Sequence, residues 1–349
     1  MIERTTRFML TGMPVYCEPY GNGHINTTSL VKTDMGCEYI LQKVNKHVFK
    51  EPKSLMRNVA AVTDYLKQSA EDPRSVLTLI PTLEGDPFYF DEDGETWRVY
   101  DFVANSLALE RAETPDDFYE SGVAFGRFQK ALTGFDASIL SETIPRFHDT
   151  PNRYKQLRDA MRSDPMDRLR EVKVELDFVF AQEDYAQTLV CLQIEGTLPL
   201  RVTHNDTKLN NVLFDSNTRK ALCVIDLDTV MPGLSANDFG DSIRFGASTA
   251  AEDEVDLSKV SLSMAMFEAY TRGYISSSDL TSAERIHLCD GAKMMTLECG
   301  IRFLTDYLAG DTYFRIGRPS HNLDRARTQF KLVTDMELKW SKMQQIVSA

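Results

Sequence analysis

Residues 202–215 read Val-Thr-His-Asn-Asp-Thr-Lys-Leu-Asn-Asn-Val-Leu-Phe-Asp, and residues 221–228 read Ala-Leu-Cys-Val-Ile-Asp-Leu-Asp. Three polar positions stand out: Asp206, Asn211 and Asp226. Phosphoryl transfer asks little covalent chemistry of a protein. It needs one carboxylate to orient the attacking hydroxyl and oxygen ligands to hold magnesium against the phosphates. Asp206 is the candidate for the first task, and Asn211 and Asp226 are the candidates for the second. Lys208 is placed to reach the transferring phosphate.

The flanking residues explain why these side chains would converge. Val212, Leu213 and Phe214 form one apolar run, and Leu222 to Ile225 form another that ends at Asp226. The polar cluster Asp215-Ser216-Asn217-Thr218 between them predicts a hairpin turn. Two paired strands would bring Asn211, entering the first, towards Asp226, leaving the second. Mg²⁺ suits such a pair, because it takes hard oxygen ligands and is usually completed by substrate phosphates and water.

His204, Asp206, Lys208 and Asn211, followed by a strand, a turn, a strand and Asp226, resemble the catalytic loop and metal aspartate of the protein-kinase-like superfamily. Within it, the chain is similar to the aminoglycoside phosphotransferase and choline kinase branch. There the run 204–214 and the run Val224–Gly233, continuing through Asp238-Phe239-Gly240-Asp241-Ser242-Ile243-Arg244-Phe245-Gly246, look most like N-acetylhexosamine 1-kinases. Further matches fall at Gly23-His24-Ile25-Asn26, Phe147-His148-Asp149-Thr150-Pro151, residues 302–308 and residues 321–325.

The resemblance implies an α+β, two-lobed fold. Residues 1–104 would form a small β-rich lobe that clamps the nucleotide, and residues 105–349 a larger, mainly helical lobe with the catalytic loop, metal site and sugar site. It implies ATP as phosphate donor, Mg²⁺ as cofactor, and transfer to the anomeric hydroxyl of N-acetylglucosamine or N-acetylgalactosamine. His24 and Arg302 become candidate sugar contacts, and Tyr100 and Phe102 candidate nucleotide contacts. Asp238 and Asp241 would hydrogen-bond the catalytic loop, and His204 would be structural. Asp226, not Asp238, holds the metal-binding place.

Composition agrees with a globular enzyme. At 349 residues the chain exceeds one usual core, so two domains are expected. Lys plus Arg total 39 against 52 Asp plus Glu, a net charge of −13. Such a surface repels nucleic acid and anionic membrane, so a small-molecule partner is expected. Cys17, Cys37, Cys191, Cys223, Cys289 and Cys299 are scattered without a C-x-x-C pair. Buried free thiols in a reducing compartment are the expectation. No apolar run approaches bilayer length, and the first residues lack a signal-peptide core. Together these point to a cytoplasmic protein.

The first hundred residues read as strands around one helix. Strands are expected at Val15–Glu18, Thr27–Val31, Tyr39–Leu41, Thr78–Ile80 and Trp97–Val103. A helix is expected over Pro52–Leu66, with Leu55, Val59, Val62 and Leu66 on one face. Gly21 and Gly23 lie in a turn before a β-rich run and fit a hairpin laid over phosphates. The dinucleotide fingerprint would need a third glycine where Asn26 stands, and no P-loop pattern occurs.

One departure matters. Kinases carry a phosphate-holding lysine on the third strand. Aligning the apolar run puts Gln42 there, with Lys43 beside it, and successive strand residues face opposite sides. Either Gln42 does the work or a register change admits Lys43.

Past Val103 the chain turns helical, with Ala104-Asn105-Ser106 as the expected hinge. Thr114-Pro115-Asp116-Asp117 starts a helix through Leu132. Gly122 and Gly126 on it permit close helix packing. Residues 323–347 carry an apolar stripe on one long helix. Arg302 and Asp306, four apart, are placed to pair. Asp228, on an extended segment, would share a face with Asp226 and reach metal or sugar.

Two rival readings stand beside the sugar kinase. One is the same chemistry on choline, homoserine, an aminoglycoside or another sugar. The other is a nucleotide-binding pseudokinase.

Overall fold

The computed structural model describes residues 1–21 and 25–349; the expectations for Gly23 and His24 lie outside the described residues. In chain order, a short helix α1 (Ile2–Thr5) precedes β1 (Pro14–Pro19), β2 (Thr27–Thr33) and β3 (Glu38–Val44). Helix α2 (Pro52–Lys67) leads to β4 (Leu79–Ile80), β5 (Tyr89–Phe90), β6 (Thr96–Asp101) and β7 (Ser106–Ala108). Then come α3 (Pro115–Ala131), α4 (Thr150–Ser163), α5 (Lys173–Ala181), α6 (Thr188–Ile194) and β8 (Arg201–Thr203). Strands β9 (Val212–Asp215), β10 (Ala221–Val224) and β11 (Met231–Gly233) precede α7 (Ser235–Gly246) and α8 (Met264–Ser277). Helices α9 (Ser282–Ile286), α10 (Leu288–Leu308) and α11 (His321–Ser348) complete the chain.

Contacts divide the chain into two units, neither continuous in sequence. The first holds residues 1–108, 134–145 and 212–232, and the second holds 109–133, 146–211 and 233–349. The hairpin that ends at Asp226 therefore groups with the first hundred residues. The first unit is sheet-rich and the second helical, in the α+β class expected.

The first unit's main sheet runs β1-β2-β3-β6-β4, with β5 also on β6, and every pairing is antiparallel. One face carries the core of Phe8, Val31, Tyr39, Leu41, Trp97 and Val99. Helix α2 starts on Pro52 at its first position and buries Leu55, Val59, Val62 and Leu66, the four predicted for its inner face. A second sheet, β10-β9-β7, holds the expected hairpin. Its turn is closed by Asp215, whose Oδ1 accepts from the backbone N–H of Asn217 and Thr218 at 3.1 and 3.0 Å. Asn105 takes the left-handed conformation at φ 54° at the expected hinge.

In the second unit α3 opens on the predicted cap. Thr114 Oγ1 accepts from Asp117 N, and Asp117 Oδ2 accepts from Thr114 N. Gly122 lets α3 press on α8: a Cβ there would lie 2.4 Å from the Tyr270 carbonyl oxygen. Helix α11 buries Phe330, Val333, Met336, Met343 and Val347, as its stripe predicts, and Trp340 is half-buried. All six cysteines are free thiols, and Cys223, Cys289 and Cys299 are buried. Cys191 is exposed, contrary to expectation, because it lies on the outer side of the short helix α6. Among the described residues no helix is long and apolar enough to cross a membrane.

Candidate active site

The loop after β8 is gripped through its backbone N–H groups. His204 is fully buried, its ring 5.4 Å from that of Phe125 and 5.9 Å from that of Phe128 on α3. Asp238 on α7 accepts from the N–H groups of His204 and Asn205, each at 2.8 Å. Asp241, one turn further on, accepts from Thr207 N at 3.0 Å. Asn205 sits at φ 63°, a left-handed position that asparagine tolerates. Gly233 is needed beside it, since a Cβ there would meet Thr203 Oγ1 at 2.2 Å. The roles expected for His204, Asp238 and Asp241 are thus visible as bonds to this loop.

The grip presents Asp206. Lys208 Nζ lies 2.8 Å from Asp206 Oδ1, and Asn211 Nδ2 donates to Asp206 O at 2.8 Å and Oδ2 at 3.3 Å. Burial works to raise the Asp206 pKa, but the adjacent Lys208 ammonium outweighs it and holds the carboxyl below its usual range. The Asp206 field in turn raises the Lys208 pKa. The pair is ionised at neutral pH, with the Asp206 side chain still 23% exposed. Because Asn211 spends its amide N–H groups on Asp206, its Oδ1 is left as an oxygen donor. That is the donor type a hard cation takes.

Asp226 lies in the first unit, two residues past Val224, which pairs with Val212. It stands at φ 58°, where a non-glycine residue is rare, and opens a 3₁₀ turn over Leu227–Thr229. This turn overrules the extended segment expected for Asp228. Asp228 is 2% exposed and both of its carboxylate oxygens are engaged: Oδ1 with Arg98 Nη1 at 2.5 Å and Oδ2 with Asn26 Nδ2 at 2.6 Å. A direct sugar contact from Asp228 is not what this arrangement offers.

The β3–β6 register is regular, so no shift admits Lys43 to the Gln42 face. Gln42 pairs across from Arg98, whereas Lys43 pairs across from Trp97 on the face of the small core. Gln42 Oε1 accepts from Arg98 Nε at 3.0 Å and Nη2 at 2.8 Å. Tyr100 is 4% exposed beneath the Arg98 guanidinium, 5.1 Å from ring centre to Cζ. Phe102 is half-buried and stacks edge-on with Tyr20, and Gly21 follows at φ 74° in open surroundings. Arg98 is the residue the sequence reading missed. Its signal, an arginine inside an apolar strand, acquires meaning only once the register sets it opposite Gln42.

A further side chain supports the loop in the second unit. His148, within a run quoted above, sits between Glu298 Oε1 and Asn205 O, each at 3.2 Å. Arg302 does not pair with Asp306. Asp306 instead accepts backbone N–H groups from Thr312, Tyr313 and Phe314, together with Asn322 Nδ2. The Arg302 guanidinium lies 5.5 Å from the ring centres of both Phe147 and Phe314. Among the described residues no hydrogen-bond acceptor is assigned to it.

Asp238 makes the loop pH-sensitive. Burial raises its pKa to about 6, against the opposing pull of the two N–H donors. A carboxylate raised in this way stabilises the fold fully below about 4, and that contribution is lost as pH rises through about 6. Protonation at lower pH replaces one acceptor oxygen with an O–H and slackens the loop, while this group itself then favours the folded state. Turnover should therefore fall as pH drops through about 6 without unfolding caused by Asp238. Asp206, held low, cannot supply that limb. Asp238→Asn should show the depressed acid level across the whole range, and an unaltered profile in that variant would refute the assignment.

Comparison with known proteins gives the family and the fold. A family described as phosphotransferase enzyme family, APH, matches residues 17–274. An aminoglycoside phosphotransferase from Alicyclobacillus acidocaldarius is similar with a TM-score of 0.66 at 13% identity, covering 99% of this chain and 96% of that one. Amicoumacin kinase in complex with AMP-PNP, Ca2+ and Ami gives a TM-score of 0.64 at 13% identity, covering 95% and 92%. A choline/ethanolamine kinase family protein from Mesorhizobium loti gives 0.57 at 16% identity, covering 95% and 92%. At these identities the likeness speaks for the fold. Among the described residues no group of three or more His, Cys, Asp or Glu side chains is set to hold a metal ion. Magnesium held largely by phosphates and water does not require one.

Proposed function

Since the chain belongs to the phosphotransferase enzyme family and is a small-molecule kinase, we propose that it transfers the γ-phosphoryl group of ATP to the anomeric hydroxyl of N-acetylglucosamine or N-acetylgalactosamine. The product is the sugar 1-phosphate. The observation that carries the chemistry is Asp206, ionised, half-buried and braced by Lys208 and Asn211. Asp206 orients the sugar hydroxyl and takes its proton. A hemiacetal hydroxyl is more acidic than an ordinary alcohol, so a carboxylate of low pKa suffices as base. Lys208 neutralises charge on the moving phosphoryl group. Asn211 and Asp226 would hold Mg²⁺, which would supply charge neutralisation on the phosphates. Residues 1–104 would take the nucleotide, with Gly21 and Phe102 on its side. Residues 105–349 take the sugar.

Arg302 supports an uncharged acceptor over a cationic one. Among the described residues it has no acidic partner; it lies in the unit of the catalytic loop and shares Phe147 with the His148 that touches Asn205. Choline or an aminoglycoside would meet like charge there. A sugar acetamido or hydroxyl oxygen would meet five N–H donors flanked by aromatic rings. Such an enzyme would work in the cytoplasm, where ATP is available.

The test is Mg²⁺-dependent ADP release across N-acetylhexosamines, their methyl glycosides, choline, homoserine and aminoglycosides. Turnover is expected with the free amino sugars and not with the methyl glycosides, whose anomeric oxygen is capped. Equal turnover of the methyl glycoside would overturn the anomeric assignment. Reaction of another alcohol alone would leave only the general kinase reading, and nucleotide binding without any turnover would favour a pseudokinase.

A further inference from the structure

We infer that Arg98 is a positioning residue that acts through Asp228 on the turn that presents Asp226. The inference rests on the kinase reading above.

Arg98 is 1% exposed, so it is not itself placed to touch a nucleotide. Its fork is spent inside the first unit. Nε and Nη2 donate to Gln42 on β3, and Nη1 donates to Asp228 Oδ1 at 2.5 Å. Met56 Sδ of α2 lies 3.7 Å from Nη1. Burial opposes the guanidinium charge, yet the Asp228 carboxylate, with Tyr100 and Asp226 behind it, holds its pKa above the ordinary arginine value. Lys43 cannot substitute, since it projects from the other face of β3.

Asp228 is anchored from three sides: by Arg98, by Asn26 Nδ2 at 2.6 Å, and by the Thr143 hydroxyl, which donates to its carbonyl at 3.0 Å. Asn26 is itself fixed, its Oδ1 accepting from Asn45 N at 3.0 Å. Two residues before Asp228 the backbone is forced to φ 58° at Asp226. A left-handed aspartate persists only where its surroundings over-determine it, and the Arg98–Asp228 pair is that constraint. A kinase lysine joins a strand to the nucleotide directly. Here the strand cation joins the sheet to the metal-aspartate turn instead, and Gln42 serves as the acceptor that aims it. A buried pair of this kind also explains why neither partner can be lost alone: the survivor would be an uncompensated buried charge.

The experiment uses the full chain with Arg98→Lys, Arg98→Met and Asp228→Asn. Its first readout is hydrogen exchange of the 226–230 backbone amides in protein free of metal and nucleotide, with the α10 and α11 amides as an internal check of folding. Its second is the Mg²⁺ concentration for half-maximal ADP release with the preferred acceptor. Exchange at 226–230 should accelerate in Arg98→Met and Asp228→Asn while α10 and α11 stay protected. Arg98→Lys should fall between these and the parent. Removal of groups that orient metal ligands costs ~10–100-fold in metal affinity, so the Mg²⁺ requirement should rise by that order while the KM for the acceptor holds. Parent-like exchange at 226–230 in folded Arg98→Met or Asp228→Asn would overturn the inference whether or not the kinase reading stands. Should Arg98→Met not fold, the isosteric Asp228→Asn decides. If no acceptor is turned over by the parent, the kinase reading fails separately and the exchange data still decide the role of Arg98.

Discussion

Asp206→Asn should lower turnover by ~10²–10⁴-fold, the share that a positioned general base contributes, while ATP affinity stays within about twofold, well inside one tenfold step of ~1.4 kcal/mol. The geometry sets both halves of this expectation. The asparagine keeps the shape of the side chain and one oxygen for Lys208, so the loop held by Asp238 and Asp241 has no reason to collapse. What disappears is the ionised oxygen that Lys208 and Asn211 brace. Turnover is read by ADP release and affinity by titration with a nucleotide analogue. Parent-like turnover would remove Asp206 from the base role. Joint loss of turnover and ATP binding would mean that the loop had been disrupted rather than the base deleted.

Gly291→Ala should be the most damaging single methyl among the described glycines. A Cβ at Gly291 on α10 would lie 1.9 Å from the Ala236 carbonyl oxygen of α7, and one at Gly240 would lie 2.2 Å from the Gly291 carbonyl oxygen. These obstacles are backbone, so no side chain can rotate away. Overpacking of a tight core costs ~1–3 kcal/mol, and a backbone clash belongs at or beyond the upper end. The two helices would have to part, and they carry Asp238 and Asp241 on one side and Glu298 and Arg302 on the other. A fall of several degrees in the unfolding midpoint is expected, with activity falling further than stability alone explains. Leu338→Ala, at a side chain 79% exposed on α11, should leave both unchanged. A parent-like midpoint for Gly291→Ala would show that α7 and α10 have slack this packing denies.

Much was legible along the chain because its signals are local. The spacing of Asp206, Lys208 and Asn211 needs only one loop. The hairpin before Asp226 is announced by two apolar runs and an aspartate that closes its own turn. Thr114 and Pro115 mark a helix start through interactions within four residues, and the α2 and α11 stripes follow from helical periodicity. Gly122 was suggestive for the same reason, its partner being simply another helix.

Arg98, Asp228 and Arg302 were decided by tertiary structure. Whether Gln42 or Lys43 shares a face with another strand's cation depends on register, which is set by pairing between residues 42 and 98 and is invisible in either strand alone. Asp228 looked like a second ligand because period-two reasoning assumed an extended backbone. The buried arginine across the sheet instead draws it into a 3₁₀ turn. Arg302 and Asp306 have the spacing of a helix pair, yet Asp306 goes to the unsatisfied N–H groups of the loop after α10, several donors against one. Sequence by itself therefore determined which chemistry the chain carries, since that resides in residue types at fixed local spacing. Tertiary structure decided which charges neutralise one another, because burial makes an unpaired charge too costly to keep and only the fold brings distant partners within reach.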